Sequence, residues 1–234
     1  MALRVMATSI GCGLFLSVAS AAGAQPAPSP PQTPSPTWSD GFTGRLEALA
    51  LLQSLNADLL SHDSATLTLD RWCEAHGLAS PAKIVAERVH GVDKPASPEQ
   101  RRLLAVGDGD SIRYRRVRLS CGGHVLSEAD NWYVPSRLTP DMNHQLDTSD
   151  VAFGRAVQAL HFQRHTLSAE LLWSPLPAGW EMGAPAPPAG SRLAIPEHVL
   201  QHRAVLTLPD GTPFSEVVET YTSEVLAFPQ PAGR

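Results

Sequence analysis

The chain has 234 residues, of which 43% are hydrophobic and 18% are charged, and these proportions are ordinary for a globular protein. Its formal net charge at pH 7 is -5. A chain with this charge has no excess of basic side chains for neutralising phosphate groups, which argues against binding to nucleic acid or to an anionic membrane surface.

Residues 1–24 have the pattern of a signal peptide. Arg4 precedes an apolar stretch that is too short to span a bilayer, and the stretch ends in the small residues Ala22-Gly23-Ala24. We expect cleavage before Gln25 and export, to the periplasm. The alternatives are a buried N-terminal helix and a retained anchor. No later segment has the apolar length of a transmembrane helix, so we expect no integral membrane segment in the mature chain.

A proline-rich tract follows the predicted signal peptide. Residues 25–37 read QPAPSPPQTPSPT, a composition that favours an extended backbone, and we interpret them as a linker to a single domain over residues 38–230. Removal of the signal peptide leaves two cysteines, Cys73 and Cys121. A disulfide between them is permitted in an oxidising compartment but is not implied. Two small buried thiols are the favoured interpretation, because a domain of this size needs no covalent link.

The predicted elements begin with helices and continue with hairpins. Leucines at steps of three and four residues between Leu46 and Leu59 indicate an amphipathic helix, and a second helix, capped by Asp63 or Ser64, ends near Gly77. The predicted strands and short helices that follow are strand 84–89, a hairpin of 112–119 with 124–134, helices 139–145 and 151–160 (the latter capped by Ser149 or Asp150), strand 162–173, and a closing hairpin of 202–208 with 214–228. This order predicts an α+β domain, an antiparallel β-sheet with helices packed on one side.

Several polar residues invite a chemical interpretation. His161 and His165 have the spacing of two helical metal ligands, but their segment is a predicted strand without a third ligand, so we expect no metal site. His62, Asp63 and Ser64 are adjacent and cannot form a catalytic triad, which is assembled from separated positions. Helix capping explains them better.

The predicted hairpin carries four arginines that alternate between the faces of a strand: Arg113 and Arg115 on one face, Arg116 and Arg118 on the other. A guanidinium pointing into a pocket would suit a carboxylate ligand. In the last strand, Glu219 shares a face with Val217, and Glu216 lies on the opposite face. The strand pattern alone does not decide which arginine or which glutamate faces inward.

The order of these segments over residues 51–226 resembles the chorismate lyase family, and in outline the related UTRA effector-binding domains. The segments that carry the resemblance are the leucine-rich helix before Asp63-Ser64, the arginine strand from Tyr114 to Cys121, the run Val134-Pro135-Ser136-Arg137-Leu138, Phe153-Gly154-Arg155, and the turn Gly211-Thr212-Pro213. The resemblance implies a chorismate lyase-like fold with a buried site beneath two helical flaps. It also implies elimination of pyruvate from chorismate to give 4-hydroxybenzoate, a carbon-oxygen lyase reaction without metal or cofactor.

The resemblance also assigns site residues. Arg116 would grip a carboxylate and assist catalysis, Phe153 and Ala65 would border the substrate, and Glu219 would be the catalytic glutamate. The position that matches the family's glutamate by count from Pro213 is Val218, so Glu219 requires a one-residue shift such as a bulge, and Glu216 is a competitor. Asn131 stands where the family has a basic residue, which removes one anion contact.

These observations leave three hypotheses for function. The first is an exported, monomeric chorismate lyase-like enzyme acting on a small aromatic or cyclic carboxylate. The second is a non-catalytic periplasmic binding or sensor protein that uses the same pocket. The third is an interaction protein whose pocket has collapsed around Phe153 and Trp132.

Overall fold

The computed structural model describes Met1 and residues 37–231. The predicted signal peptide beyond Met1, its cleavage site and nearly all of the predicted linker lie outside the described residues. Trp38, near the start of the described domain, is buried. Its indole Nε1 donates a hydrogen bond of 3.1 Å to the carbonyl of Leu226, near the other end of the domain. Residues 37–231 fall within one compact unit.

Five α-helices are present among the described residues: α1 Phe42–Leu60, α2 Ala65–Ala75, α3 Pro98–Leu103, α4 Pro140–Thr148 and α5 Phe153–Ala156. Ser64 caps α2, as one of the two predicted alternatives. The predicted helix 151–160 is wrong in two respects. Ala152, not Ser149 or Asp150, precedes α5, and the segment breaks into α5 and a 3₁₀ turn over Gln158–Leu160.

Six strands form one antiparallel sheet within the described region. They are β1 Ile84–Arg88, β2 Arg113–Cys121, β3 His124–Tyr133, β4 Gln163–Leu171, β5 His198–Thr207 and β6 Pro213–Thr222, in the spatial order β1-β2-β3-β6-β5-β4. The predicted α+β class is confirmed. The last strand is shorter than predicted, since it ends at Thr222 and a 3₁₀ turn over Ser223–Leu226 follows.

The two faces of the sheet differ in what covers them. Helices α1, α2, α4 and α5 pack on one face, here called the inner face, through apolar side chains such as Leu55 of α1 and Leu146 of α4. The short α3 departs from the predicted one-sided packing. It lies on the opposite, outer face, where Leu104 at its C-terminal end packs with Trp132 and Val218. The side chain of Ser97 and that of Gln100 form a reciprocal capping box at the start of α3.

Cys73 of α2 and Cys121 at the end of β2 form a disulfide, and both residues are fully buried. The favoured interpretation of two free thiols is therefore wrong. The bond fixes the C-terminal half of α2 to the sheet at a point where leucines and alanines of the inner face also surround it. It also closes a loop that contains β1 and α3, so it constrains a long part of the unfolded chain.

We expect replacement of both cysteines by alanine to lower the free energy of unfolding by about 3–4 kcal/mol, the range that loop-closure entropy gives for a sequence separation of 48 residues. Urea unfolding of the oxidised wild type and the Cys73→Ala/Cys121→Ala variant measures the difference. Equal unfolding midpoints with equal slopes would show that the bond adds nothing to stability.

Candidate functional site

A small cavity lies between the N-terminus of α2, helix α5 and the inner face of the sheet. The room inside it for the centre of a water molecule is about 30 Å³. Its lining residues come from two helices and five strands: Asp63, Ser64, Ala65, Thr66, Val117, Leu119, Ala129, Asn131, Phe153, Gly154, Phe162, Arg164, Leu206, Val217 and Glu219. Ala129 forms part of the floor, and because its side chain is a single methyl group the sheet leaves space there.

Three of the residues that the resemblance assigned to the site line this one cavity. Ala65 lies in the first turn of α2, Phe153 opens α5, and Glu219 lies on β6. Phe153 also packs its ring against Tyr133 and Phe214, which fixes the apolar wall. The fold thus brings together segments that are distant in the chain.

Arg116 is not in this cavity, and its predicted contact with the same ligand as Glu219 is wrong. The cavity-lining residues of β2 are Val117 and Leu119, so alternation places Arg116 on the outer face. There its Nη2 donates to Oε2 of Glu128 at 2.8 Å, and Asp130 lies 3.9 Å from its Nη1. Trp132 also lies on the outer face, so a pocket collapsed around both Phe153 and Trp132 does not exist.

The choice between the two glutamates of β6 is settled by register. Pairing of β3 with β6 is continuous from Ser215 to Tyr221, and Glu219 faces inward without a bulge in this stretch. Glu216 is fully buried on the outer face, where the Nε of Arg203 donates to its Oε1 at 2.6 Å. The β5–β6 pairing does contain an irregularity before this stretch, because Thr207 pairs with Pro213 and Leu206 with Ser215, so β6 has one extra residue there, as the predicted bulge requires.

Arg164 of β4 is the cation of the cavity, and it was not predicted from the sequence. Its Nη2 donates to Oε2 of Glu219 at 2.6 Å, and 4% of the arginine side chain and 10% of the glutamate side chain are exposed. Burial is the largest single influence and lowers the pKa of Arg164, but the charge and hydrogen bond of Glu219, together with the charges of Tyr221 and Asp63, raise that pKa above its usual value. The Tyr221 hydroxyl also donates to Glu219 Oε2, at 3.3 Å.

Several buried donors at and near the cavity have no hydrogen-bond partner in the described chain. They are Nε of Arg164, Nδ2 of Asn131, and both Nε and Nη1 of Arg115. Arg164 and Asn131 line the cavity. A buried donor without a partner costs about 1–3 kcal/mol, and more when it is charged. Such groups are therefore expected to be paired when the site is filled.

Arg115 stands beside the cavity, on the inner face, directly across from Asn131 in the next strand. Only 2% of it is exposed, and its Nη2 donates to the carbonyl of Ser149 at 3.0 Å. Burial, with the nearby charge of Arg88, lowers the pKa of Arg115 from its usual value. Arg115 is thus the buried arginine of β2 that the sequence pattern left undecided.

The loop before α2 is hydrogen-bonded to the strand that carries Arg164. The Asp63 carboxylate accepts a hydrogen bond of 2.9 Å from the backbone N–H of Arg164, and the next residue, Ser64, caps α2. Gly154 of α5 lies close to the start of α2, and a Cβ atom at this position would be 3.2 Å from Ser64 Oγ. The first N–H groups of α2 have no partner inside the helix, and they add positive potential at this end of the cavity.

A buried histidine extends the polar network beyond the cavity. His202 of β5 lies directly across from Glu219, and its Nε2 is 2.8 Å from Oδ1 of Asn56 in α1. The pKa of His202 is lowered to about 4, mainly by burial; the charge of Glu219 opposes this shift, and the charge of Arg164 adds to it. The ring is therefore neutral at pH 7.

The two histidines considered as metal ligands have separate surroundings. His161 ends the 3₁₀ turn in the left-handed conformation, and His165 contacts the Thr207 hydroxyl at 2.9 Å. Within residues 37–231 no cluster of three metal-ligating side chains is present. In the same part of the chain, no helix has the length and apolar character needed to cross a membrane.

Fold and site together define an α+β domain with a small, donor-rich cavity on the inner face of an antiparallel sheet. The chain is 60% identical over 196 residues, 83% of each chain, to a protein of Sinorhizobium fredii (strain NBRC 101917 / NGR234) named "Uncharacterized protein y4mC". It therefore belongs to the y4mC family. No protein-family model matches the chain.

Solved structures of regulators resemble the chain in part. PhnF of Mycobacterium smegmatis matches at 13% identity over 74% of this chain and 69% of that chain, with a TM-score of 0.44, and the effector domain of PhnF at 14% over 69% and 90%, with 0.42. "Possible transcriptional regulator YydK" of Bacillus subtilis matches at 17% over 64% and 62%, with 0.37. With TM-scores below 0.5, these likenesses decide neither ligand nor activity.

We expect His202 to make the protein less stable in acid. Its pKa is near 6.5 in the unfolded chain and about 4 in the fold, so the unfolded state binds the extra proton between these values and stability falls as pH falls. Between pH 7 and pH 4.5, this effect lowers the free energy of unfolding by about 2.5 kcal/mol. Urea unfolding at both pH values should show a loss smaller by about 2 kcal/mol in His202→Gln. An identical loss in both proteins would contradict this.

Proposed function

We propose that this protein is an exported binding protein for small aromatic or cyclic carboxylates, which it holds in the cavity between α2, α5 and the sheet. The observation that carries this proposal is the set of buried, unpartnered donors on Arg164, Asn131 and Arg115. A ligand rich in acceptor atoms would pair them, and a carboxylate accepts several hydrogen bonds at once.

The charges around the cavity support an anionic ligand. The cation on Arg164 is already balanced by Glu219 at 2.6 Å, whereas Arg115 has no carboxylate within ion-pair distance in the described chain. Half-buried Arg88 is nearby, and exposed Asp150 is the one acidic residue whose charge acts on Arg115. One negative charge placed beside Asn131 and Arg115 would satisfy the free donors of both.

The apolar lining supports a cyclic ligand. Phe153, Phe162 and Leu206 line the cavity beside its polar residues, and Leu206 lies directly across from Arg164. The present room of about 30 Å³ is far below the roughly 300–1,000 Å³ typical of small-molecule sites. A ring therefore enters only when the N-terminus of α2 moves away from Gly154 of α5, while the disulfide holds the other end of α2 on the sheet.

A lyase is the second candidate, because Ala65, Phe153 and Glu219, which the resemblance assigned, line one cavity. Two observations favour binding over elimination. Arg116 lies on the other face of the sheet, and Oε2 of Glu219 already accepts hydrogen bonds from Arg164 and Tyr221. A glutamate so engaged is poorly placed to give a proton to a leaving enolpyruvyl group.

Export is part of the proposal. The pattern of residues 1–24 supports it, and so does the disulfide between Cys73 and Cys121, since such bonds persist in oxidising compartments. When the full chain is expressed in a Gram-negative host, we expect the protein in the periplasmic fraction with Gln25 as its first residue. N-terminal sequencing and mass measurement test this. An intact N-terminus in the cytosolic fraction would contradict export.

The binding proposal is tested by calorimetric titration of the purified protein with benzoate and 4-hydroxybenzoate. We expect Arg115→Met to weaken binding about tenfold or more, because a charged hydrogen bond contributes about 1.5–3 kcal/mol. The same variant should unfold at an equal or higher urea concentration, since it removes a buried charge without an ion-pair partner.

Arg116→Met is the matched control, one residue along the same strand but on the outer face. It should leave the affinity within twofold of wild type. Absence of binding in the wild type, or equal losses in the two variants, would overturn the proposal. Incubation with chorismate, followed by assay of pyruvate and 4-hydroxybenzoate, distinguishes the second candidate. A binding protein releases neither product, and sustained release of both would establish a lyase.

A further inference from the structure

We infer that three residues at the edge of β1, here called the latch, hold α2 and α5 together and limit how fast a ligand exchanges with the cavity. The latch consists of the side chains of Asp70 and Arg155 and the backbone of Ile84. None of the three lines the cavity, so Asp70 and Arg155 are positioning residues. This inference rests on the proposed function and deepens it, because it identifies the residues that control access to the site.

The latch contains three hydrogen bonds that join three elements. Nη2 of Arg155 in α5 donates to Oδ2 of Asp70 in α2 at 2.5 Å, and its Nη1 donates to the carbonyl of Ile84 in β1 at 2.7 Å. The N–H of Ile84 donates to Oδ1 of Asp70 at 2.6 Å. The arginine and the aspartate together therefore occupy both backbone groups of one strand residue, as a neighbouring strand would.

The position of the latch makes it stronger than a surface ion pair. β1 is an edge strand of the sheet, and the backbone groups of such an edge remain unpaired unless side chains cover them. The side chains of Arg155 and Asp70 are 25% and 24% exposed. Because the pair is partly shielded from water and is also bonded to the backbone, it holds the two helices more firmly than an exposed pair does.

The disulfide makes the start of α2 the end of the helix that can move. Cys73 fixes one end of α2 to the sheet, and Ala65 lies at the other end, where it lines the cavity. With a rise of 1.5 Å per residue, Asp70 is about 4.5 Å and Ala65 about 12 Å from Cys73 along the helix axis. A small separation of Asp70 from Arg155 therefore becomes a movement roughly two to three times larger at the cavity.

A second contact at the start of α2 provides a reporter for this movement. The carboxylate of exposed Asp63 accepts a hydrogen bond of 2.9 Å from the backbone N–H of Arg164. An exposed contact of this kind contributes little, so the latch is the stronger of the two closures. When the start of α2 moves away from the sheet, the N–H of Arg164 is released to water and its hydrogen exchanges with solvent.

The test compares amide hydrogen exchange, measured by NMR, in the mature wild type and in Asp70→Asn/Arg155→Gln. The double variant removes both charges of the latch, so neither charge is left without its partner. We expect the Arg164 amide to exchange about tenfold faster in the variant, the size of one hydrogen bond to a charged group. The amides of β6, in the interior of the sheet, should stay within about twofold of wild type, because they open only on global unfolding.

The rates of ligand exchange provide a second measurement. With benzoate, NMR exchange experiments should show that association and dissociation both become about tenfold faster in the double variant. The dissociation constant should stay within about threefold of wild type, because the latch closes the cavity in the free and the bound protein alike. A residue that contacts the ligand would change the dissociation constant instead.

Arg71→Gln is the matched control, because Arg71 is the next residue of α2 and its Nη2 lies 3.3 Å from Oδ1 of Asp58 in α1, not in α5. It should leave the exchange of the Arg164 amide within about twofold of wild type. Three results would each overturn the inference: unchanged exchange of the Arg164 amide in the double variant, equal acceleration of the β6 amides, or equal acceleration in Arg71→Gln.

The two proposals fail separately. Amide exchange is measured without ligand, so it decides the role of the latch in holding α2 whether or not benzoate binds. Absence of benzoate binding in the wild type would overturn the proposed function, and with it the control of ligand exchange by the latch. Binding of benzoate with unchanged exchange of the Arg164 amide in the double variant would overturn the latch alone.

Discussion

The buried ion pair between Arg164 and Glu219 connects the parts of the molecule on which the site depends. The side chain of Arg164 reaches Glu219 on β6, and its backbone N–H is held by Asp63 in the loop before α2. One residue thus joins the sheet edge, a central strand and the helix that closes the cavity. Removing one partner of such a pair leaves the other charge buried without compensation, which is costly. The two side chains therefore stay paired in the folded protein.

Much of the fold could be predicted from the residue pattern, because helical and strand periodicities are local properties. The leucine spacing of α1, the cap at Ser64 and the hairpin turn at Gly122 and Gly123 are decided within a few residues, and they appear as predicted. The failures share a cause. The predicted helix from 151 to 160 starts only at Phe153 and is interrupted at Val157, where a 3₁₀ turn replaces it, and the residue pattern does not show this change. Helix α3 was not predicted, although Ser97, Pro98 and Gln100 form a capping signal at its start.

The candidate site could be predicted only in part, because facing is a property of register and not of residue type. Counting by resemblance placed Arg116 in the pocket, yet alternation along β2 directs Arg115 inward. On β6 the same alternation, continuous through Glu219, directs that glutamate inward. Arg164 could have been found by its place in the predicted strand 162–173, but its partner lies on a strand that only the folded sheet brings near.

The methyl side chain of Ala129 has a consequence for the volume of the cavity. It lies on the floor of the cavity, so the room above the floor depends on one β-carbon. A change to glycine deepens the floor and a change to valine fills it, and neither alters the charges of the cavity. The depth of the cavity and its charge therefore depend on different residues: Ala129 sets the depth, and Arg164 and Glu219 supply the charges.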